Sequence, residues 1–344
     1  LKAAYLVRPG TIEIREAPRP EPGPGQVLVR VRAVGVCGSD VHYFEEGRIG
    51  DTVATEPLIM GHEFAGEVAG LGAGVSGMAL GQMVAVEPAM PCGHCEMCLE
   101  GHPNLCLNIR FMSTPPDQGA LAEYVAVGAE QCFALPAGLT AADGAMLEPL
   151  GVALHSLRLG HVHLADTVAV IGCGTIGLMT LQLAKASGAL TIFATDKLDD
   201  RLALAQAYGA TAVCNVSRED PVAALVALTG GRRADVVFEA AGAPESPEQA
   251  MKLARNGGTV LLIGIPDDDR IGMGAGTSRR KGLTIKMVRR MKHTYPRAIA
   301  LAAAGMVDVR SLVTHRFPLE ETQQAFRLVA DGGDGVIKAM VEMG

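Results

Sequence analysis

The sequence predicts an α/β fold in which a doubly wound, parallel-sheet domain interrupts a β-rich one. Three observations carry that expectation. Before about residue 150, short apolar runs alternate imperfectly and are broken by Pro and Gly clusters. After it, continuous apolar runs of strand length alternate with helix-length segments. Between the first such run and the stretch after it lies Gly172-Cys173-Gly174-Thr175-Ile176-Gly177, a strand-to-helix glycine turn. The expected limits are 1–150 for the first domain, 151–288 for the inserted one and 289–344 for the return of the chain to the first.

Each element has a local reason. Val27 to Val34 reads as a strand, and Pro18, Pro20, Pro22 and Pro24 stiffen the connector before it. Phe64 to Val68 reads as another, followed by the glycine turn Gly70 to Gly74. In the inserted domain Thr167–Ile171, Leu190–Thr195, Ala212–Cys214, Val236–Phe238 and Val260–Ile263 are five buried strands, with a helix over Leu178–Ala186. Beyond residue 288, helices are expected over Pro296–Ala304 and, after the Pro318 break, Glu320–Ala330; Val336–Val341 closes as a strand.

A chain of 344 residues is too long for one small core. With 49% apolar and 19% charged residues it is a globular composition, not a disordered one. A net charge of −7 and the lack of a basic run argue against nucleic acid or an anionic membrane surface as partner. The uncharged run Thr167–Ala184 approaches a membrane span in length, but it holds the three spaced glycines and Gln182. The opening Lys2–Val7 is strand-like rather than a basic-then-apolar leader, so a reducing, cytoplasmic setting is expected.

Cys92, Cys95, Cys98 and Cys106 form C-x2-C-x2-C-x7-C. Such short spacers let one loop wrap a tetrahedral Zn²⁺ in a closed sulfur cage, the competing reading being a pair of disulfides. The residues between them, including Gly93, His94, Glu96, Met97, Gly101 and Pro103, read as loop. A closed site of this kind is structural and names no activity.

The glycine turn is a dinucleotide fingerprint because of its context. Gly172 permits the tight turn, Gly174 lets backbone approach a pyrophosphate, and Gly177 lets helix and strand pack closely. The helix amino end offers free N–H groups to the phosphates. Asp196, nineteen positions beyond Gly177, suits the ribose hydroxyls of NAD and repels the 2′-phosphate of NADP, with Lys197 blunting that preference.

Metal-ligating side chains also occur in the first domain. Cys37 carries a hydroxyl (Ser39) two residues on and an imidazole (His42) five residues on; Gly61-His62-Glu63 and Met146-Leu147-Glu148-Pro149 add an imidazole and two carboxylates. Spacing alone does not join them.

Together, G-V-C-G-S-D-x-H, G-H-E-x-x-G, the four thiols and the glycine fingerprint occur in an order that resembles the zinc-dependent medium-chain alcohol dehydrogenase family, nearly end to end. Ser39–Tyr43, Gly47–Gly50, Phe111 with Thr114–Asp117, and Leu147–Leu150 narrow the resemblance to its sorbitol/xylitol (polyol) dehydrogenase branch. The resemblance implies a GroES-like catalytic domain with an inserted Rossmann domain. It also implies a catalytic zinc on Cys37, His62 and Glu63, with Glu148 either completing the shell or holding a water beside it. Ser39 and His42 match a proton relay, Tyr43, Glu148 and Arg290 substrate contacts, and Thr175, Ile176, Asp196, Arg201, Ile263, Gly264 and Ile265 cofactor contacts.

The implied activity is NAD-dependent oxidation of a polyol to its ketose with two zincs per subunit, in a homotetramer or, failing that, a homodimer. Threonine or secondary-alcohol oxidation is the nearest alternative, and a non-catalytic zinc- and dinucleotide-binding protein a remote one. Two features depart from the branch. All four lobe thiols are kept, where some animal members lack them, and Met291 follows Arg290 where tyrosine is usual.

Overall fold

A computed structural model describes residues 1–266 and 270–344. Contacts divide the chain into two units: Leu1–Pro149 with Tyr295–Gly305 and Val309–Gly344, and Leu150–Thr294 with Met306–Asp308.

The first unit is organised by Gln26–Gly35, whose run of Val, Leu and Ala is buried on both faces. Burial on both sides explains why its sequence alternates so imperfectly. Glu63–Leu71 pairs antiparallel along one edge of this strand. Tyr124–Gly128 pairs with one half of the other edge, and Lys338–Glu342 with the other half. Met83–Val86 and Cys132–Ala134 extend the sheet one way, and Val313–Pro318 the other. Gly35 is thereby flanked by Glu63 on one side and Met340 on the other. Phe64, Val84, Tyr43, Phe44 and Phe326 contribute to the core.

The second unit is a six-stranded parallel sheet. Its order is Ala212–Asn215, Thr191–Asp196, Thr167–Ile171, Ala234–Glu239, Ala254–Leu262 and Thr284–Met287. The chain steps outward in both directions from Thr167–Ile171, so the strand order reverses beside that strand, where α/β sheets open a ligand crevice at their carboxyl ends. Helices Thr175–Ala186, Asp199–Ala207, Pro221–Leu228 and Ser246–Leu253 supply the crossovers.

The structure differs from the expectations at particular places. The sheet has a sixth strand, Thr284–Met287, whose four residues at the sheet edge carry no apolar run. The fifth strand begins at Ala254, six residues before the apolar Val260. The return begins at Tyr295 rather than 289. Tyr295 belongs to the first unit because its phenol donates to the Val86 carbonyl at 2.7 Å and its ring stacks on Phe133. Met291, by contrast, is buried in the second unit, where a side chain at Gly151 would collide with its sulfur. The departure at Met291 is therefore a packing feature. Among the described residues no helix is long and apolar enough to cross a membrane.

At the amino ends of the parallel strands, Asp235 accepts the Thr167 N–H at 2.9 Å and hydrogen bonds from Arg232 (2.6 and 2.7 Å) and Arg255 (2.6 Å). Burial opposes its ionisation, but these donors outweigh burial and hold its carboxyl well below the usual range. Asp235→Ala should lower the unfolding free energy by about 2 kcal/mol at neutral pH in denaturant titrations. Because the folded pKa is depressed, the deficit should be constant above the unfolded carboxyl pKa of about 3.9 and shrink as pH falls below it.

Candidate metal centre and dinucleotide site

Four sulfurs form one group, with all ligand atoms within 4.8 Å of one another. None of the eight cysteines is in a disulfide. The Cys95 and Cys106 sulfurs are 3.8 Å apart, the edge length of a tetrahedron whose Zn–S bonds are about 2.3 Å. Backbone N–H groups of Cys92 and Asn108 point at the Cys106 sulfur (3.2 and 3.4 Å), and the His94 N–H is the main cause that lowers the Cys92 thiol to about 6. Both features suit thiolate ligands, so the donor set fits zinc. The lobe is not all loop, as its composition suggested. Glu96–Leu99 is a helical turn capped by Cys95, and Pro103–Leu105 a 3₁₀ turn. A single turn sets Cys95 and Cys98 on one side, which spacing of three residues allows.

The second group is Cys37, His62 and Glu63, again with ligand atoms within 4.8 Å. Cys37 caps the helix Gly38–Glu46 and accepts a hydrogen bond from Ser39 Oγ at 3.3 Å. His62 and Glu63 sit where the paired strand Glu63–Leu71 begins, so the sheet register carries them toward Cys37. His62 Nδ1 lies 3.2 Å from Asp40 Oδ1, and Ser113 Oγ donates to the same oxygen at 2.8 Å. Burial opposes a charged Asp40, but His62 and the hydrogen bonds outweigh it and lower its pKa. A carboxylate on Nδ1 fixes the ring and leaves Nε2 for a metal. Phe111 packs against the imidazole with centroids 5.3 Å apart.

Glu63 has a partner that the spacing did not reveal. Lys338 Nζ donates to both its oxygens, at 2.8 and 2.7 Å, and to the Val36 carbonyl at 3.0 Å. The two side chains are 1% and 4% exposed. Burial lowers the lysine, but Glu63, Cys37 and Glu148 more than reverse this, and Lys338 is held charged. One lysine against Cys37, Glu63, Glu148 and the Asp40 carboxylate behind His62 leaves an acid-rich pocket, the setting that a divalent cation suits. The residues fit a zinc ion.

Glu148, buried in the first turn of the helix Leu147–Gly160, stands outside the three-ligand group. Its charge reaches Lys338 and the Tyr295 phenol. Glu87, near the same phenol, is pushed up to about 7 by burial. Of the other expected contacts, Tyr43 is packed into the core and His42 is half-buried on the Cys37 helix. Arg290, in the second unit, adopts left-handed backbone with φ 52°.

In the second unit Gly172 has φ 86°, and a side chain at Gly177 would overlap the Gly172 carbonyl, so both glycines are required. Gly174 caps the helix Thr175–Ala186. Asp196 ends its strand and accepts the Cys173 and Leu198 N–H groups, at 2.7 and 3.0 Å, one on each oxygen. Each oxygen keeps acceptor capacity for a ribose hydroxyl. Arg201 lies beside Gly174, and Ile263 and Gly264 donate backbone N–H to the Glu239 carbonyl. Glu239, absent from the expected set, gathers Ala241 N–H, Gly242 N–H and Ser246 Oγ on one oxygen, each at 2.8 Å.

Residues 23–137 match the alcohol dehydrogenase GroES-like domain, and 175–304 the zinc-binding dehydrogenase domain. The chain is 37% identical to sorbitol dehydrogenase of Bacillus subtilis (strain 168) over 341 residues, covering 99% of this chain and 97% of that protein. The chain belongs to the zinc-dependent medium-chain alcohol dehydrogenase family. A solved Escherichia coli oxidoreductase/dehydrogenase of unknown specificity superposes with a TM-score of 0.95 at 36% identity, over 100% of this chain and 99% of that one. A zinc-binding dehydrogenase structure from Sinorhizobium meliloti 1021, bound to NADP, superposes at 0.91 with 33% identity, over 99% and 98%. The family's dehydrogenases are oxidoreductases, and so is this chain.

Gly35 bears directly on the metal group, because a side chain there would overlap Glu63 Oε2. Gly35→Ala should displace that carboxylate and lose one zinc per chain by elemental analysis, while the zinc of the four-thiol lobe and the melting transition persist. Undiminished zinc in the variant would remove Glu63 from the ligand set.

Proposed function

We propose that the chain oxidises a polyol, sorbitol, xylitol or a similar sugar alcohol, to its ketose with NAD⁺ and two zincs per subunit. The observation that carries this reading is the ligand group itself: one thiolate, one imidazole and one carboxylate, with a further carboxylate, Glu148, buried outside it. Similarity to named sorbitol dehydrogenases supports the substrate class. Asp196, with both oxygens oriented by backbone, supports NAD over NADP. The branch resemblance supports a homotetramer, with a homodimer as the alternative, and the free thiols support a reducing, cytoplasmic setting.

When bound, zinc lowers the pKa of a ligating hydroxyl, and the nicotinamide accepts a hydride. The chain's own groups do the rest. Asp40, itself held by Ser113, holds the imidazole, and Lys338 holds Glu63, so these two ligands are pre-positioned. Ser39 and His42, on the helix that Cys37 caps, carry the substrate proton away. Glu148 accepts a hydrogen bond from a second hydroxyl of the substrate. Lys338 keeps net negative charge from accumulating beside the oxygen that loses its proton. A shell with one thiolate and nearby carboxylates favours vicinal diols over simple alcohols.

Two experiments test this. With NAD⁺ reduction followed at 340 nm, sorbitol or xylitol should exceed ethanol, 2-butanol and threonine in kcat/KM by at least about a hundredfold, a discrimination that several substrate hydrogen bonds supply. Turnover of threonine or 2-butanol alone would move the chain to another branch. Glu148→Ala should retain both zincs yet lose about a hundredfold or more in kcat/KM, the scale of a lost acid–base or hydrogen-bonding group. Activity within about twofold of the parent would take Glu148 out of the site.

A further inference from the structure

Two cations near Asp196 in the fold, Arg218 and Lys197, are engaged by carboxylates. Asp196 pairs in register with Asn215 of the neighbouring strand, and the Val216 N–H donates to the Asp196 carbonyl at 3.1 Å. The turn after that strand carries Arg218 to the same end of the sheet, its N–H bonded to the Asn215 carbonyl at 3.0 Å. There Arg218 donates from Nη1 and Nη2 to the two oxygens of Asp199, at 2.8 and 2.7 Å. Asn215 Nδ2 gives Asp199 a third hydrogen bond at 2.8 Å and also holds the Lys197 carbonyl at 3.1 Å. The Lys197 ammonium lies 3.6 Å from Glu245.

This arrangement has little to do with stability. Arg218 and Asp199 are 59% and 63% exposed, and exposed pairs contribute almost nothing to folding. Geometry gives it another consequence. A dinucleotide bound over the fingerprint sets its adenosine ribose at Asp196, and an enzyme that accepts a 2′-phosphate there needs an unopposed arginine fork. Arg218 is the fork that the turn after the neighbouring strand brings to this end of the sheet, but both of its prongs are on Asp199. The Arg218 hydrogen bonds also hold Asp199 down to about 2, so it stays ionised throughout the working pH range.

We propose that Asp199 is a second cofactor-selecting residue: by engaging Arg218 in a two-pronged pair beside Asp196, it denies the guanidinium to a 2′-phosphate and adds its own negative charge against one. The inference deepens the NAD reading above and rests on it. Asp196 alone removes the welcome for the phosphate; Asp199 withholds one arginine, Arg218, that could otherwise supply a substitute.

The test is a double-mutant cycle on the zinc-loaded full chain, reading dissociation constants for NADH and NADPH from nicotinamide fluorescence. Asp199→Asn should tighten NADPH about tenfold, the scale of one charge-assisted contact, and leave NADH within about twofold. Arg218→Ala alone should change NADPH affinity by less than about twofold, because the guanidinium is already occupied. Adding Arg218→Ala to Asp199→Asn should abolish the gain. No tightening in Asp199→Asn, or a gain that survives Arg218→Ala, overturns the inference while leaving a wild-type preference for NADH intact. Equal wild-type affinity for NADH and NADPH overturns the NAD reading and the inference together, and shows before any substitution is made.

Discussion

The Glu63 carboxylate lies where a side chain at position 35 would otherwise be and pairs there with Lys338, and the proposed metal site of the first unit is arranged around that contact. A carboxylate that is 1% exposed needs a countercharge and donors, and a lone one in that position costs several kcal/mol. Lysine supplies both from the last strand of the chain, which pairs beside Gly35 on the edge opposite Glu63. The sheet therefore closes across 275 residues of sequence to bring one ammonium to one carboxylate. Removing either partner leaves a buried charge uncompensated, which is far more damaging than loss of a surface pair.

The same economy of contacts recurs around the imidazole. Asp40 reaches back from the Cys37 helix to His62, and Ser113 donates to Asp40 from a loop closed by two hydrogen bonds from Arg110 Nε to Asp117, each at 3.1 Å. His62 and Glu63 are thus each held by a neighbour that is itself held. In the second unit the corresponding work is done by backbone: the glycine turn, the N–H groups on Asp196 and the loops gathered by Glu239. The two means suit the two ligands proposed for them. A divalent cation needs fixed side-chain donors, whereas a pyrophosphate is met by N–H groups at a helix end.

Much of this was legible in the sequence, and the residues show why. Local motifs carried it: C-x2-C-x2-C-x7-C and the glycine fingerprint are readable because their parts lie within a few positions of one another. The apolar runs of the parallel strands were equally plain, since both of their faces are buried. What escaped was either non-local or polar on an apolar background. Lys338 lies in Val336-Ile337-Lys338-Ala339-Met340-Val341, and a lysine inside so apolar a strand is itself the signal that a buried carboxylate faces it. Glu239 and the edge strand Thr284–Met287 had no comparable mark. Joining Cys37 to His62 and Glu63 drew on family resemblance, because spacing alone does not join residues that only the sheet register brings together.

X-ray absorption at the zinc K-edge, with metal content measured on the same sample, tests the two-centre account most directly. It should find two zincs per chain: one ringed by four sulfurs at about 2.3 Å, the other by one sulfur with nitrogen and oxygen neighbours at about 2.0–2.1 Å. A single zinc per chain surrounded by sulfur alone would contradict it, leaving Cys37, His62 and Glu63 as a buried polar cluster held together by Lys338 and Asp40 without a metal.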